Sequence, residues 1–385
     1  MKRFISLINV IAFALTFSLI SCSDDDGDSA SSNPYGIPSD DLASDNPDIG
    51  TSTTTLPNLS YSVESYGDDA IVRIDMTGIQ DMSDYTWLRL LGTAESGQNV
   101  WVSVDGKAKG ISVYNSADDE EEDQVIAADL VFLVDNSGSM SQEADSVAAG
   151  IVNWANKLEE SSLDIQFGLV GYSVSGSING AINLTDAETL SEYLDYSSGT
   201  YRTIHFGGDD ASTLSTAASA YRVSNECGGM ALRYADSNIS FRTGTNRVYV
   251  NFTDEPNQPA GNDDYSTEYF SDETNWSATQ GTVHTVYSAD TTYTESMGYN
   301  EKPWRISWYT GGTVLVAPSD FSNVTLESLP VTGALQNSYI IRFTNVKEFM
   351  DGLDHLVKIT VLSTDNLTRA EKTFYINFGS SDTAE

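Results

Sequence analysis

Asp135-Asn136-Ser137-Gly138-Ser139 sets one carboxylate and two hydroxyls at alternate positions of a single short segment. Three oxygens offered from one loop suit a hard cation such as Mg²⁺, Mn²⁺ or Ca²⁺ better than a soft one. Asp and Ser are also ordinary turn and helix-cap residues, and Ser139 or Ser141 could equally cap a helix that follows. The surrounding sequence favours the cation. The motif stands directly after an apolar run and before an amphipathic stretch, where a loop would be fixed at both ends.

The apolar run is Asp129-Leu130-Val131-Phe132-Leu133-Val134, the pattern of a strand buried on both faces. After the motif, Val147, Ile151, Trp154 and Leu158 recur at helical spacing. Further strands are expected at 165–170, 248–252, 283–287 and 313–316, and helices at 187–195, 211–221 and from Met230. This alternation argues for a doubly wound α/β sheet, in which ligands sit at the carboxyl ends of the strands. On either side the period changes to two. Segments 59–63, 70–74 and 100–104 alternate, Asp105-Gly106 marks a turn, and 110–114 follows. Segments 339–343, 356–361 and 373–378 read the same way. Together they supply about seven strands, a common size for a β-sandwich. The expected architecture is therefore an α/β domain inserted into a discontinuous antiparallel β-sandwich, with two separate β modules as the alternative.

Asp135, Ser137 and Ser139, between a buried strand and a helix, resemble the metal-ion-dependent adhesion site of the von Willebrand factor type A family, whose pattern is Asp-x-Ser-x-Ser. The resemblance covers about residues 127–325. It implies that Asp254, at the end of strand 248–252, is the distal aspartate of the site. It also aligns Glu226, in Asn225-Glu226-Cys227-Gly228-Gly229, with a position where most members carry threonine. Integrin β-subunit I-like domains carry glutamate and glycines there, and this chain is similar to them at that loop. If the loop shifts, Thr213 or Thr216 could supply the oxygen instead. The implied ligand set is Asp135, Ser137, Ser139, Glu226 and Asp254 around one divalent cation, Mg²⁺ first, with Mn²⁺ or Ca²⁺ as alternatives. Three carboxylates in place of two raise cation affinity and lower the net pull on an acidic partner. The resemblance implies a protein ligand whose Asp or Glu completes the coordination. Gln142 and Glu143 preserve only half of the pair that serves an adjacent cation in integrin β-subunits, so one metal is expected.

Composition excludes several other functions. The 385 residues include 56 acidic and 19 basic ones, a net charge of −37, which opposes nucleic-acid binding because phosphate contacts need Lys and Arg clusters. Two cysteines and three histidines rule out a disulfide framework and Cys/His zinc sites. Gly171-Tyr172-Ser173-Val174-Ser175 lacks the second glycine of a hydrolase elbow, and no Gly-rich phosphate loop occurs. A non-enzymatic protein is expected. The long segment 255–280, rich in Asn, Asp and aromatics, is expected at the metal-bearing edge. Tyr269 and Trp276 would there either contact a partner or pack the loop down.

At the N-terminus, Lys2 and Arg3 precede an apolar run from Phe4 to Ser21, and Leu19-Ile20-Ser21-Cys22 resembles the lipobox of bacterial lipoproteins. That implies cleavage before Cys22 and lipidation of its thiol; a single membrane-spanning anchor is the alternative. Residues 22–55 hold eight acidic side chains and no basic one, the composition of a solvated tether. Ser23-Asp24-Asp25-Asp26-Gly27-Asp28 also resembles a surface-export signal of some Gram-negative lipoproteins. The expected order is a signal peptide at 1–21, tether at 22–55, sandwich at 56–116, acidic linker at 117–126, α/β domain at 127–328 and sandwich again at 329–385. The whole is expected at the outer membrane, lipid-anchored and surface-exposed. Its expected role is to bind a protein ligand as an adhesin does, or else to serve as a structural subunit of an envelope or pilus-like assembly.

Overall fold

The computed structural model describes residues 33–118, 125–140, 143–159, 163–173, 177–195, 204–288, 302–318, 325 and 329–380, leaving aside the side chains of 143–145 and 177. The signal peptide, Cys22, most of the acidic linker, Gln142 and the side chain of Glu143 lie outside these residues. Five strands come first: β1 (Leu59–Tyr66), β2 (Asp69–Met76), β3 (Val100–Val104), β4 (Lys107–Lys109) and β5 (Ile111–Asn115). Then follow β6 (Ala127–Asp135), α1 (Glu143–Glu159), β7 (Asp164–Ser173), β8 (Ser177–Thr185), α2 (Ala187–Tyr193), α3 (Ala211–Ala218) and α4 (Gly228–Asn238). The chain continues through β9 (Asn246–Thr253), β10 (Thr282–Ser288), α5 (Trp304–Thr310), β11 (Val314–Ala317) and α6 (Pro330–Gln336). It ends with β12 (Tyr339–Phe343), β13 (Asp354–Leu362) and β14 (Arg369–Asn377).

The central sheet runs β11-β10-β9-β6-β7-β8. Its first five strands are parallel, and β8 returns antiparallel to β7, so the sheet is mixed at one edge. Strand β6 lies in the middle, and its unbroken apolar run is explained by burial on both faces. Leu130, Phe132 and Val134 pack with Val147, Ile151 and Trp154 of α1 on one side. Val131 and Leu133 pack with Met230, Ala231 and Tyr234 of α4 on the other. Strand β8 was not expected from the sequence.

The flanking strands form two antiparallel sheets, β1-β2-β12-β5 and β14-β13-β3-β4. Strands from before and after the α/β domain share each sheet: β12 lies between β2 and β5, and β13 pairs with β3. The two sheets enclose one core, with Val72, Ile74, Ile341 and Phe343 facing Val102, Val357, Ile359 and Phe374. The arrangement is an insertion into a single sandwich and not two β modules. Burial of alternate side chains between two sheets drives it. The turn between β3 and β4 is the one read from Asp105-Gly106, both in the left-handed region at φ 47° and 81°.

Two boundaries differ from the sequence expectation. Residues 35–55, expected within the solvated tether, pack on the sandwich instead, with Ile37 and Ile49 buried, Asp40 paired with Lys109 and Asn46 Nδ2 donating to Thr360 Oγ1 (2.9 Å). Residues 330–336, expected in the sandwich, form α6, and Leu329, Val331 and Leu335 belong to the α/β core.

The sandwich meets the end of the α/β domain opposite the carboxyl ends of its strands. Asn58 N–H donates to Thr310 O (3.1 Å), Leu59 N–H to Ala278 O (2.8 Å) and Ser60 Oγ to Gly244 O (3.1 Å). Gly311 caps α5 at φ 75°, and a Cβ there would stand 2.4 Å from the Leu56 backbone. That position requires glycine twice over, for its dihedral and for its space.

Candidate metal centre

Asp135 is the last residue of β6, fully buried, and held at both oxygens. Its Oδ1 accepts from Ser137 N–H (3.0 Å) and its Oδ2 from the Thr253 hydroxyl (3.0 Å). The loop after it is fixed from three directions. Asn136 N–H donates to Tyr172 O, and its side chain forms a reciprocal amide pair with Asn179 of β8 (2.8 and 2.7 Å). Met140, fully buried, pins the far end of the loop into the core. The Ser137 and Ser139 hydroxyls lie 3.0 Å apart, and Ser139 Oγ donates to Asp254 Oδ1 (3.2 Å).

Glu226 enters on the loop before α4. It hydrogen-bonds with the Ser137 side chain and acts electrostatically on Asp135. Thr213 and Thr216 lie on α3, where Thr216 turns its hydroxyl back to Ser212 O. The structure therefore brings Glu226 to the Asp-x-Ser-x-Ser loop. It reaches there because the loop packs tightly: a Cβ at Gly228 would stand 2.6 Å from Asn251 Nδ2, and one at Gly229 would stand 2.2 Å from Tyr265 O. Asn257, also buried, ties this loop to the next. Its Oδ1 accepts from Gly229 N–H (2.9 Å) and from Cys227 Sγ (3.1 Å), while its Nδ2 donates to Tyr265 O (2.8 Å). Gln258 N–H donates to Glu226 O (3.0 Å). Neither the Thr253 hydroxyl nor Asn257 was singled out from sequence. Thr253 could have been, since it immediately precedes Asp254; Asn257 carried no signal.

Three carboxyls at the site are raised by burial and by one another. Burial, then Glu226, then Asp254 push the Asp135 carboxyl up to about 7, against opposing hydrogen bonds from Ser137. Glu226 is raised by burial and by Asp254, against a hydrogen bond from Ser137. Glu255 is raised by burial, Glu226 and Asp254. Among the described residues, no cationic side chain lowers any of these three, Asp135, Glu226 and Glu255. Buried like charges are costly unless neutralised by protons or by a counter-cation. Among the described residues, no three Asp, Glu, His or Cys side chains converge as a metal-holding group. Here the two serine hydroxyls belong to the oxygen set, and a hard divalent cation fits that chemistry. Asp135, Ser137, Ser139, Glu226 and Asp254 are the residues that would hold it.

Segment 255–280 borders the site, as its length suggested. A cleft of about 1010 Å³ opens there, lined by Asn225, Gln258, Asp263, Asp264 and Tyr269 among others. The aromatics mostly pack inward. Trp276 is buried against Tyr249 and Phe270 and donates its indole N–H to Gly281 O (3.0 Å). Tyr269 is partly buried beneath the Arg233 guanidinium.

Comparison with known proteins agrees with this geometry. Residues 129–268 match the von Willebrand factor type A domain family. No curated protein matches the chain. Among solved structures, proximal thread matrix protein 1 from the mussel byssus, with a zinc-occupied MIDAS motif, is 12% identical with a TM-score of 0.39, covering 61% of this chain and 50% of that one. The von Willebrand factor domain of the type V pili tip protein Mfa5 from Porphyromonas gingivalis is 17% identical with a TM-score of 0.23, covering 35% and 40%. The pilus adhesin SpaC from Lactobacillus rhamnosus GG is 11% identical with a TM-score of 0.31, covering 82% and 55%. The chain thus spans between two fifths and just over half of these three structures. It carries a von Willebrand factor type A domain, set within a β-sandwich.

Proposed function

We propose that this chain is a lipid-anchored surface protein that binds a protein ligand through a divalent cation at the carboxyl end of β6. The observation that carries the reading is the meeting of Asp135, Ser137, Ser139, Glu226 and Asp254 as one oxygen set, in which burial and like charge raise Asp135 and Glu226. A bound cation would offer Lewis acidity and an open position to an incoming carboxylate. Asp135 is locked by Ser137 and Thr253, so it can hold charge in one place. Ser139 is exposed and marks the side from which a partner arrives. The role is binding and not catalysis. An acidic side chain is the partner group, and Mg²⁺ is the first choice of cation. The three carboxylates weaken the pull on that acidic group, so selectivity rests on contacts around the metal. On this reading, lipidation at Cys22 followed by the acidic stretch 23–28 holds the domain outside the outer membrane.

Thermal unfolding of the protein in EDTA and then in Mg²⁺, Mn²⁺ or Ca²⁺ tests the site. A ligand that binds only the folded state stabilises it by about 2.7 kcal/mol at a hundredfold excess over its Kd. The expected result is a cation-dependent rise in Tm that Asp135→Ala and Glu226→Ala each abolish. A rise lost only in Asp135→Ala would remove Glu226 from the ligand set. No rise with any cation would sink the metal reading. Labelling of cells with a radioactive fatty acid, in wild type and Cys22→Ala, tests the anchor.

A further inference from the structure

Lys372 faces inward from β14, in line with Ala370, Phe374 and Ile376, among the side chains of the shared sandwich core. A lysine buried this deeply ordinarily has a carboxylate partner. Here Nζ donates instead to Asn58 Oδ1 (2.5 Å), and both residues are less than a tenth exposed, at 8% and 6%. Asn58 is itself oriented by the α/β domain, since its Nδ2 donates to Gly281 O (2.8 Å) and Ser277 O (3.3 Å). That arrangement turns the carboxamide carbonyl toward the amine. With a C=O bond of about 1.2 Å, Nζ stands roughly 3–3.5 Å from the Asn58 carbonyl carbon, a near-attack separation. Burial lowers the Lys372 pKa to about 7, opposed by the Glu273 charge. Burial thus favours the neutral, nucleophilic form of the amine. Neighbours of the pair, Ser277 and Phe374, line a cleft of about 380 Å³ together with Tyr61, Glu273 and Ala278 among others.

We propose that Lys372 and Asn58 join in an intramolecular amide bond, with Glu273 as the proton shuttle. The Nζ lone pair attacks the Asn58 carbonyl carbon, and the C=O electrons move onto Oδ1. The Glu273 carboxylate takes a proton from Nζ and delivers it to Nδ2. The carbonyl re-forms, the Cγ–Nδ2 bond breaks, and Nδ2 leaves as ammonia. Atoms balance as amine plus primary amide giving secondary amide plus ammonia. No electron is transferred, and no outside reactant enters.

The bond would lie between two different sheets, because β1 begins at the next residue after Asn58 while β14 belongs to the opposite sheet. It would also close the chain covalently around the inserted domain. A protein anchored at one end and pulled through its ligand would then carry force through a covalent link across the sandwich.

The test is peptide mapping of the full chain purified from its cells. Trypsin should fail to cut after Lys372. The peptides bearing Asn58 and Lys372 should appear as one branched species, lighter than their sum by one ammonia. Recovery of both as separate linear peptides, with cleavage after Lys372, overturns the proposal. Glu273 is exposed, so Glu273→Gln folds without it. That variant should lose the branched species, and its persistence overturns the shuttle assignment. In denaturing electrophoresis, wild type should migrate ahead of Asn58→Ala, whose chain opens fully.

Discussion

At Asp135, burial and charge act together, and a single hydroxyl decides how well the carboxylate is held. Thr253 donates to Asp135 Oδ2 and accepts from Glu255 N–H (3.1 Å), so it fixes the aspartate and the neighbouring turn at once. Thr253→Val keeps the shape and removes both bonds. Groups that orient a metal ligand typically carry about 10–100-fold in affinity. Isothermal titration with Mn²⁺ should therefore show at least about a tenfold weaker Kd in Thr253→Val, with Tm in EDTA little changed. An unchanged Kd would make the hydroxyl structural only. His355 belongs to the same scale but to the sandwich. Its Nδ1 meets Asp105 Oδ2 (2.7 Å) and its Nε2 meets Asp351 Oδ1 (3.0 Å). Its pKa is raised chiefly by the bond to Asp105, while those of Asp105 and Asp351 are lowered. A raised histidine contributes stability below its unfolded value of about 6.5 and loses it as pH climbs through the folded value. The lowered carboxylates contribute above their unfolded values of about 4 and lose it as pH falls through their folded values. The Tm difference between wild type and His355→Gln should thus be largest between about pH 4.5 and 6 and shrink toward pH 8. A difference that is flat with pH would show that the imidazolium is not what the two carboxylates hold.

Among the elements, the three loops of the site are held by the ends of β6, β9 and α4, and Asn257 is the fastener between the last two. Removing it in Asn257→Ala leaves Gly229 N–H unpaired in a buried place and Tyr265 O with only the long contact from Cys227 Sγ (3.9 Å), a loss of about 1–3 kcal/mol. The expected outcome is a lower Tm together with a weaker Mn²⁺ Kd, because Glu226 hangs from the same loop. A lower Tm with an unchanged Kd would separate that loop from the metal. Much of this scale was legible in the sequence. The run 129–134 could be nothing but a doubly buried strand, and Val147, Ile151, Trp154 and Leu158 gave α1 by period alone. Strand β8 was not, because Asn179 and Asn183 interrupt its apolar pattern and one of them is spent on the Asn136 amide pair. Helix α6 was not, because its seven residues include Thr332 and Gly333, which are poor helix formers, while burial of Val331 and Leu335 holds it; Pro330 fits at its first position. The cluster of Asp135, Ser137, Ser139, Glu226 and Asp254 was readable through its family pattern. Asn257 was not, since its role depends on a contact across loops that carries no spacing.

For the molecule as a whole, topology sets how metal binding is felt. The chain leaves the sandwich at β5 and returns at β12, and these two strands pair with each other from Asn115↔Tyr339 to Ile111↔Phe343. At the domain junction, Asn58, Leu59 and Ser60 give backbone and side-chain hydrogen bonds to the α/β domain, and Gly311 admits no side chain against Leu56. Unfolding of the inserted domain would pull apart its own points of entry and exit and strip the seam of its partners. The expected calorimetric behaviour is therefore one transition for both parts, moving upward as a unit when Mn²⁺ is added. Hydrogen exchange locates the effect independently: amides of β2 and β13, remote from the metal site, should slow along with those of β6. Two transitions, only one of them responsive to Mn²⁺, would mean that the sandwich is a passive stalk and that the seam transmits nothing.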